Sequence, residues 1–314
     1  MSAALELKGV VKSYGKIRAL DGLDLTIPAG AIFGLVGSNG AGKTTAMAVV
    51  AGLLRPAAGR VSLFGEGPFA AERHAGRVSL LPQDSRFPPH ARVADLLRFY
   101  GQLQGLGAGD LENSIGGLLD WVHLTDRRLS PVKTLSHGMN RRLAIAQAFL
   151  GSPELVLLDE PLNGLDPVEA ARVRDMIRQR RGLQSVVISS HNLADIEALC
   201  DTVAFIEKGR LVRQDALEVI TQQCHRLTYV LSPGTVIPLQ SLAESFPGVT
   251  WEPAAGKAEI TATFPGRYTT EELNGRVLRL FLEAGLGILE IRRGSDLETE
   301  YLRLHATPPP LQGR

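Results

Sequence analysis

Hydrophobic and polar positions recur along this chain in three rhythms. Short apolar runs bounded by turn residues mark buried strands at 31–36, 155–158 and 185–190. Alternation with a period of two begins at Leu23 and runs to Ile27, as in a half-exposed strand. Shorter strands are predicted at 5–11, 60–65 and 77–81. Helical spacing takes over from about residue 93 to 124. Leu96, Leu97 and Tyr100 recur there, then Leu111, Ile115, Leu118, Leu119 and Val122. Further helices are predicted over 45–51, 140–150 and 168–181, the second with Ser136 as its N-cap. Residues 203–212 read as a hairpin turning at Lys208-Gly209. Strands alternating with helices imply an α/β fold with a mostly parallel sheet covered on both faces. The stretch 93–124 then reads as a helical subdomain inserted into that sheet.

After about Glu218 the rhythm changes. Strands are predicted at 226–231, 256–264 and 287–291, and helices at 238–245, 270–284 and 296–304. This is the pattern of a small separate α+β domain. The expected organisation is a first domain over 1–217 (helical part about 88–150), a second over 218–305, and a disordered tail over 306–314.

In an open parallel sheet, ligands collect at the carboxyl ends of strands. Lys43, Glu160 and His191 each fall just past such an end. The segment Gly37-Ser38-Asn39-Gly40-Ala41-Gly42-Lys43-Thr44 fits G-x-x-x-x-G-K-[ST] between a strand and a helix. Gly37, Gly40 and Gly42 permit φ > 0, so backbone N–H groups can turn toward a polyanion. The helix start adds partial positive charge. Lys43 is placed for the β- and γ-phosphates and the Thr44 hydroxyl for Mg²⁺. Asp159 and Glu160 follow four apolar residues directly. Beside a phosphate loop, Asp159 is expected to help hold Mg²⁺ and Glu160 to polarise an attacking water. His191 ends a strand where an imidazole can bond both phosphate and water. Taken alone, Gln83 is a surface glutamine and Tyr14 a core aromatic or a platform for a purine ring.

Composition narrows the class. The chain has 314 residues, 44% hydrophobic and 21% charged, with a net charge of +1. That balance is of ordinary globular type and offers no phosphate-contact stripe for nucleic acid. The two cysteines, Cys200 and Cys224, form no C-x-x-C pair, which suits a reduced cytoplasmic setting. The first residues carry an acid and lack the apolar core of a signal peptide. No run of 18 apolar residues is present, so any membrane role is expected to act through a partner.

The order Tyr14, 37–44, Gln83, Leu135-Ser136-x-Gly138, Asp159-Glu160, Leu165-Asp166 and His191 resembles the ATP-binding-cassette (ABC) ATPases over about residues 4–215. The resemblance implies the ABC form of the P-loop NTPase fold, in which an antiparallel β part and a helical subdomain accompany the parallel sheet. ATP and Mg²⁺ are the implied cofactors. The implied nucleotide-binding set is Tyr14 on the adenine, the loop Gly37, Ser38, Asn39, Gly40, Ala41, Gly42, Lys43 and Thr44, then Thr45, Gln83, Ser136, Gly138 and Asp166. Thr44, Gln83 and Asp159 are implied for the metal, with Gln83 also sensing a membrane partner. Glu160 is implied as the catalytic base, with His191 and Lys43 completing the catalytic set. One motif departs from the family, which usually has Leu-Ser-Gly-Gly-Gln. Here it is Leu135-Ser136-His137-Gly138-Met139, so an imidazole is added and an amide lost, and a functional but retuned site is expected.

In such a family Ser136 and Gly138 serve the nucleotide of the opposite subunit. One cassette is then half an enzyme, and a homodimer with two composite sites is expected. The leading expectation is a subunit on the cytoplasmic face of the cell membrane, driving transport, most simply export, through a separate multi-span permease. Neither nucleic acid nor direct membrane insertion is expected. The rival is a soluble ABC ATPase acting on ribosomes or nucleic acid. Members of that class typically carry two cassettes or a long coiled coil, and neither is present in this sequence.

Overall fold

The apolar runs become the central strands of the parallel sheet. The structure, a computed structural model, describes residues 3–222, 226–254, 256–265, 268–293, 297 and 301–302. It divides into two units, Met1–Asp215 and Ala216–Arg314.

In the first unit the elements run in the order β1 (Ala3–Tyr14), β2 (Ile17–Pro28), β3 (Ile32–Val36), α1 (Lys43–Val50), β4 (Ala58–Leu63), α2 (Ala71–His74) and β5 (Val78–Leu81). Then come α3 (Val93–Leu103), α4 (Ala108–Trp121), α5 (His137–Ala148), β6 (Leu155–Asp159), α6 (Pro167–Arg178), β7 (Ser185–Ser190), α7 (Leu193–Leu199), β8 (Thr202–Glu207) and β9 (Arg210–Ala216). Two sheets result. One is antiparallel, ordered β2-β1-β4, and β2 alternates buried and exposed positions from Leu23 onward. The other is six-stranded, ordered β5-β6-β7-β3-β8-β9, with every pair from β5 to β8 parallel. Every residue of β3, β6 and β7 is buried, which is why these strands are apolar runs and not alternations. One core joins Leu5, Leu7 and Leu25 of the antiparallel sheet to Phe33, Leu157 and Val187 of the parallel one.

The helices between β5 and β6 pack on one another, and α4 buries the Leu111, Ile115, Leu118 and Leu119 stripe. Helix starts are set by caps. Ser136 accepts from the Met139 N–H, and Asp166 accepts from the Val168 and Glu169 N–H groups with Pro167 in the first turn. The β8–β9 hairpin turns at Lys208 and Gly209 with φ of 48° and 75°, as a two-residue turn of the twisted kind requires. Two expectations need correction. Helix α6 ends at Arg178, not 181, because the chain turns through Gly182 (φ 77°) to enter β7. Helix α7 was not predicted; it is only seven residues long and rests on the Asn192 side chain as its cap.

The second unit contains α8 (Leu217–Gln222), β10 (Arg226–Leu231), α9 (Leu239–Ser245), β11 (Thr250–Pro253), β12 (Glu259–Thr263), α10 (Thr270–Glu283) and β13 (Ile288–Arg293). From β10 onward the order is βαββαβ. The sheet is β11-β12-β10-β13 with all neighbours antiparallel, the split-βαβ arrangement. Leu227, Tyr229 and Ile260 of the sheet meet Leu273, Val277 and Phe281 of α10 in a core of their own. A capping box between Thr269 and Glu272 starts α10. Strand β11 was missed at the sequence level because four residues show too little periodicity. The helix expected at 296–304 falls mostly, and the tail over 306–314 wholly, outside the described residues, as does Cys224.

Candidate functional site

The loop after β3 wraps around the Lys43 ammonium. Lys43 is 6% exposed, and its Nζ donates to the carbonyls of Gly37 at 2.7 Å and Ser38 at 3.3 Å. Gly42 caps α1 with φ 109°, and Gly40 has φ 82°. Both values lie in the left-handed region that favours glycine. Gly37 corrects the expectation made for all three glycines, since its φ is not positive. A Cβ there would lie 2.4 Å from the Ile206 carbonyl oxygen of β8, so Gly37 is required by close approach.

The carboxylates come from β6, two strands away across β7. Asp159 is the last residue of β6 and is 1% exposed. Its Oδ2 accepts from the Thr44 hydroxyl at 2.6 Å, and its Oδ1 accepts from the Ser189 hydroxyl of β7. Ser189 Oγ also accepts from the Glu160 N–H at 2.9 Å. One hydroxyl thus holds the side chain of Asp159 and the main chain of Glu160. Glu160 has φ 49°, a left-handed value in a residue with a full side chain. That turn brings its carboxylate back over the sheet edge. Oε1 lies 3.8 Å from Lys43 Nζ, and Oε2 lies 2.9 Å from His191 Nδ1. A carboxylate only accepts, so Nδ1 is the donor and Nε2 is left for another partner. Glu160 is nearly buried whereas the His191 side chain is half exposed.

A cavity of about 560 Å³ opens over this edge. Tyr14, Ile17 and Arg18 line one end, residues 39–45 the floor, and Gln83 and Glu160 the other side. The structure therefore brings together Tyr14, Asn39, Gly40, Ala41, Gly42, Lys43, Thr44, Thr45, Gln83 and Glu160. Asp159 and His191 join through the bonds to Thr44 and Glu160. Gly37 and Ser38 contribute the carbonyls that hold Lys43. Ser136, Gly138 and Asp166 do not line the cavity; Ser136 and Asp166 are exposed at the starts of α5 and α6. A Cβ at Gly138 would lie 2.9 Å from Glu169 Cγ, so a side chain there would push the Glu169 side chain aside. Glu169 in turn pairs with Arg142 at 3.0 Å. His137 is exposed, its Nε2 within 3.5 Å of where a Cβ on Gly164 would stand.

Sequence reasoning missed Ser189 and the pair Arg141-Arg142. Both arginines are buried in α5, where polar residues stand among positions that are otherwise apolar. Two arginines ahead of Leu143-Ala144-Ile145-Ala146 were the available signal. Burial lowers the pKa of Arg141, opposed by the attraction of Asp159, Glu160 and Asp84.

The family model described as ABC transporter matches residues 20–163. The Nod factor export ATP-binding protein I of Burkholderia lata is 36% identical over 309 residues, which is 96% of this chain and 97% of that protein. Its namesake in Ralstonia nicotianae is 34% identical over 212 residues, and the match spans 67% of this chain but only 66% of that relative. A solved ATP-binding subunit of an ABC transporter superposes with a TM-score of 0.63 at 26% identity, covering 70% of this chain and 92% of that one. Likeness along nearly the whole chain, joined to a phosphate loop set in the fold of a solved cassette, places the protein in the family of ABC transporter ATP-binding proteins.

Proposed function

We propose that this chain binds Mg²⁺-ATP in the cavity over 39–45, hydrolyses it in a homodimer, and powers export through a separate membrane permease. The observation that carries the reading is the placement of one carboxylate. Glu160 is held between Lys43 at 3.8 Å and His191 at 2.9 Å, at the rim of a phosphate-binding loop. A buried carboxylate there is placed to take a proton from a water attacking the γ-phosphate. Lys43 supplies charge to the β- and γ-phosphates, and the His191 imidazole orients Glu160 while offering Nε2 to phosphate. Tyr14 offers an exposed ring at the far end of the cavity for the adenine.

The residues present fit Mg²⁺. Thr44 Oγ1 and Asp159 Oδ2 lie side by side, joined by a 2.6 Å hydrogen bond at the edge of the cavity. Both are hard oxygen donors, and Gln83 lines the same cavity. The ion would neutralise charge on the β- and γ-oxygens.

Ser136, Gly138 and Asp166 stand outside the cavity of their own chain, which supports a site completed by a second copy. The relatives named for Nod factor export support export as the direction. Among the described residues no helix is long and apolar enough to cross a membrane, which supports a separate permease. Such a subunit works at the cytoplasmic face. The test is phosphate release from purified protein with Mg²⁺-ATP, together with affinity capture from detergent-solubilised membranes. Release abolished in Glu160→Gln and capture of a multi-span protein support the reading; capture of ribosomes or nucleic acid instead would overturn the transport half.

A further inference from the structure

Arg141 touches no carboxylate in the structure. It is 8% exposed, and its guanidinium is spent on main-chain carbonyls. Nε donates to the Pro161 oxygen at 2.7 Å, and Nη2 donates to the Glu160 oxygen and, at 3.4 Å, to the Asp159 oxygen. Nη1 donates to the Gln83 oxygen at 3.2 Å. Three of the four acceptors are successive residues of the chain that carries the catalytic carboxylate. The fourth belongs to the loop leaving β5.

Successive carbonyls of an extended strand point to opposite sides. For those of 159, 160 and 161 to converge on one planar group, the chain must turn sharply between them. The turn is at Glu160, whose φ is 49°. A side chain can hold such a value only when its surroundings over-determine it. Ser189 fixes the N–H of Glu160 from one side, and Arg141 fixes its carbonyl and both neighbours from the other. Burying a cation against neutral dipoles is unfavourable, and burial does lower the Arg141 pKa. The attraction of Asp159, Glu160 and Asp84 through space opposes that effect.

We propose that Arg141 is the positioning residue that sets the Glu160 carboxylate, and that it ties this setting to the Gln83 loop. The inference rests on Glu160 acting as the base. Arg141 acts through the backbone of 159–161. A displacement of the Gln83 loop changes the bonding of a guanidinium that also grips Glu160, so loop and base move as one. The fork is essential to this role, because a point charge cannot span four carbonyls.

The test compares Arg141→Ala, Arg141→Lys and Glu160→Gln in the full chain, measuring nucleotide affinity, single-turnover hydrolysis and amide hydrogen exchange. In both Arg141 variants affinity for ATP stays at the wild-type value while the rate of hydrolysis falls about 100-fold, as for a misplaced catalytic group. Free guanidinium ion at sub-denaturing concentration restores part of the rate of Arg141→Ala, whereas Arg141→Lys stays slow despite its charge. Exchange quickens together in 83–87 and 160–166 and is unchanged in β6 and β7. Should Arg141→Ala fail to fold, Arg141→Lys carries the same measurements. A wild-type rate in Arg141→Lys overturns the proposal, as does exchange that quickens in only one of the two segments. If Glu160→Gln hydrolyses normally, the assignment of the base fails first; if it is slow while Arg141→Lys is fast, only the positioning role fails.

Discussion

Glu160 Oε2 and His191 Nδ1 lie 2.9 Å apart although they end different strands of the parallel sheet. Strands β6 and β7 are neighbours with Asp159 opposite Ser189, so the register sets Glu160 level with Ser190, one residue before His191. Register brings the two residues to one edge of the sheet, and the left-handed turn at Glu160 (φ 49°) carries its carboxylate the remaining step to the imidazole. On the proposed reading, Glu160→Gln removes the proton acceptor but keeps the shape. Hydrolysis is expected to fall about 10²–10⁴-fold with nucleotide binding intact. On gel filtration with ATP the variant should run as a dimer, and a species that stayed monomeric at saturating ATP would sink the composite site.

How much of this was legible in the sequence follows from the range of the interaction. The strands β3, β6 and β7 were readable because burial on both faces leaves consecutive apolar residues at the centre of each, Val186-Val187-Ile188 in β7. The loop 37–44 was readable because its glycines, lysine and threonine act in one contiguous stretch. Arg141 and Ser189 were not, since their acceptors lie 18 or more residues away in sequence and only the fold brings them together. Gly37 was read as a φ > 0 glycine, but its constraint is a contact with Ile206 on a strand far along the chain.

Gly37 and Gly40 separate two reasons for glycine. An alanine at Gly37 drives Cβ to 2.4 Å from a backbone oxygen and 2.8 Å from the Ala41 Cβ. That overpacking should destabilise the fold by about 1–3 kcal/mol. Gly40 has open space but φ 82°, so alanine there costs about 1–2 kcal/mol of backbone strain alone. Urea melts should rank Gly37→Ala the less stable, with crystallographic or NMR displacement of β8 only in that variant. Equal stabilities with β8 unmoved would contradict the close-approach account.

Thr44→Ala tests the metal separately from the nucleotide. The change deletes the hydroxyl that donates to Asp159 at 2.6 Å and would otherwise face Mg²⁺. Hydrolysis should then demand a higher Mg²⁺ concentration, while metal-free ATP binding, read by fluorescence of a labelled nucleotide, changes little. Stripping divalent ions from the wild type with EDTA should stop phosphate release, and adding Mg²⁺ should restore it. Unchanged Mg²⁺ dependence in Thr44→Ala would remove this residue from the metal site.

Cys200 is 4% exposed, and burial, aided by Asp201, pushes its thiol well above the usual range. The folded pKa exceeds the unfolded one, so the neutral thiol contributes stability that is complete below about pH 8.5 and is lost as pH rises. Two outcomes follow in a Cys224→Ser background. A thiol reagent should label Cys200 only as fast as the chain unfolds, and the alkaline loss of stability should shrink when Cys200 is replaced by alanine. Fast labelling of the native protein would show that this face of the sheet is open.

The two units predict a calorimetric signature. Each has its own core, Leu5 to Ile206 in the first and Leu227 to Phe281 in the second, and the nucleotide cavity belongs wholly to the first. A ligand stabilises only the cooperative unit that binds it, by RT ln(1 + [L]/Kd), or about 2.7 kcal/mol at a hundredfold excess over Kd. For a unit of this size that is a rise of roughly 5–10 °C in one transition. The scan should therefore show two transitions, of which Mg²⁺ with a non-hydrolysable ATP analogue raises one and leaves the other in place. A chain ending at Asp215 should retain the ligand-sensitive transition and lose the other. A single transition moving as a whole would mean that the two cores unfold as one, and that loss of either unit disables the site.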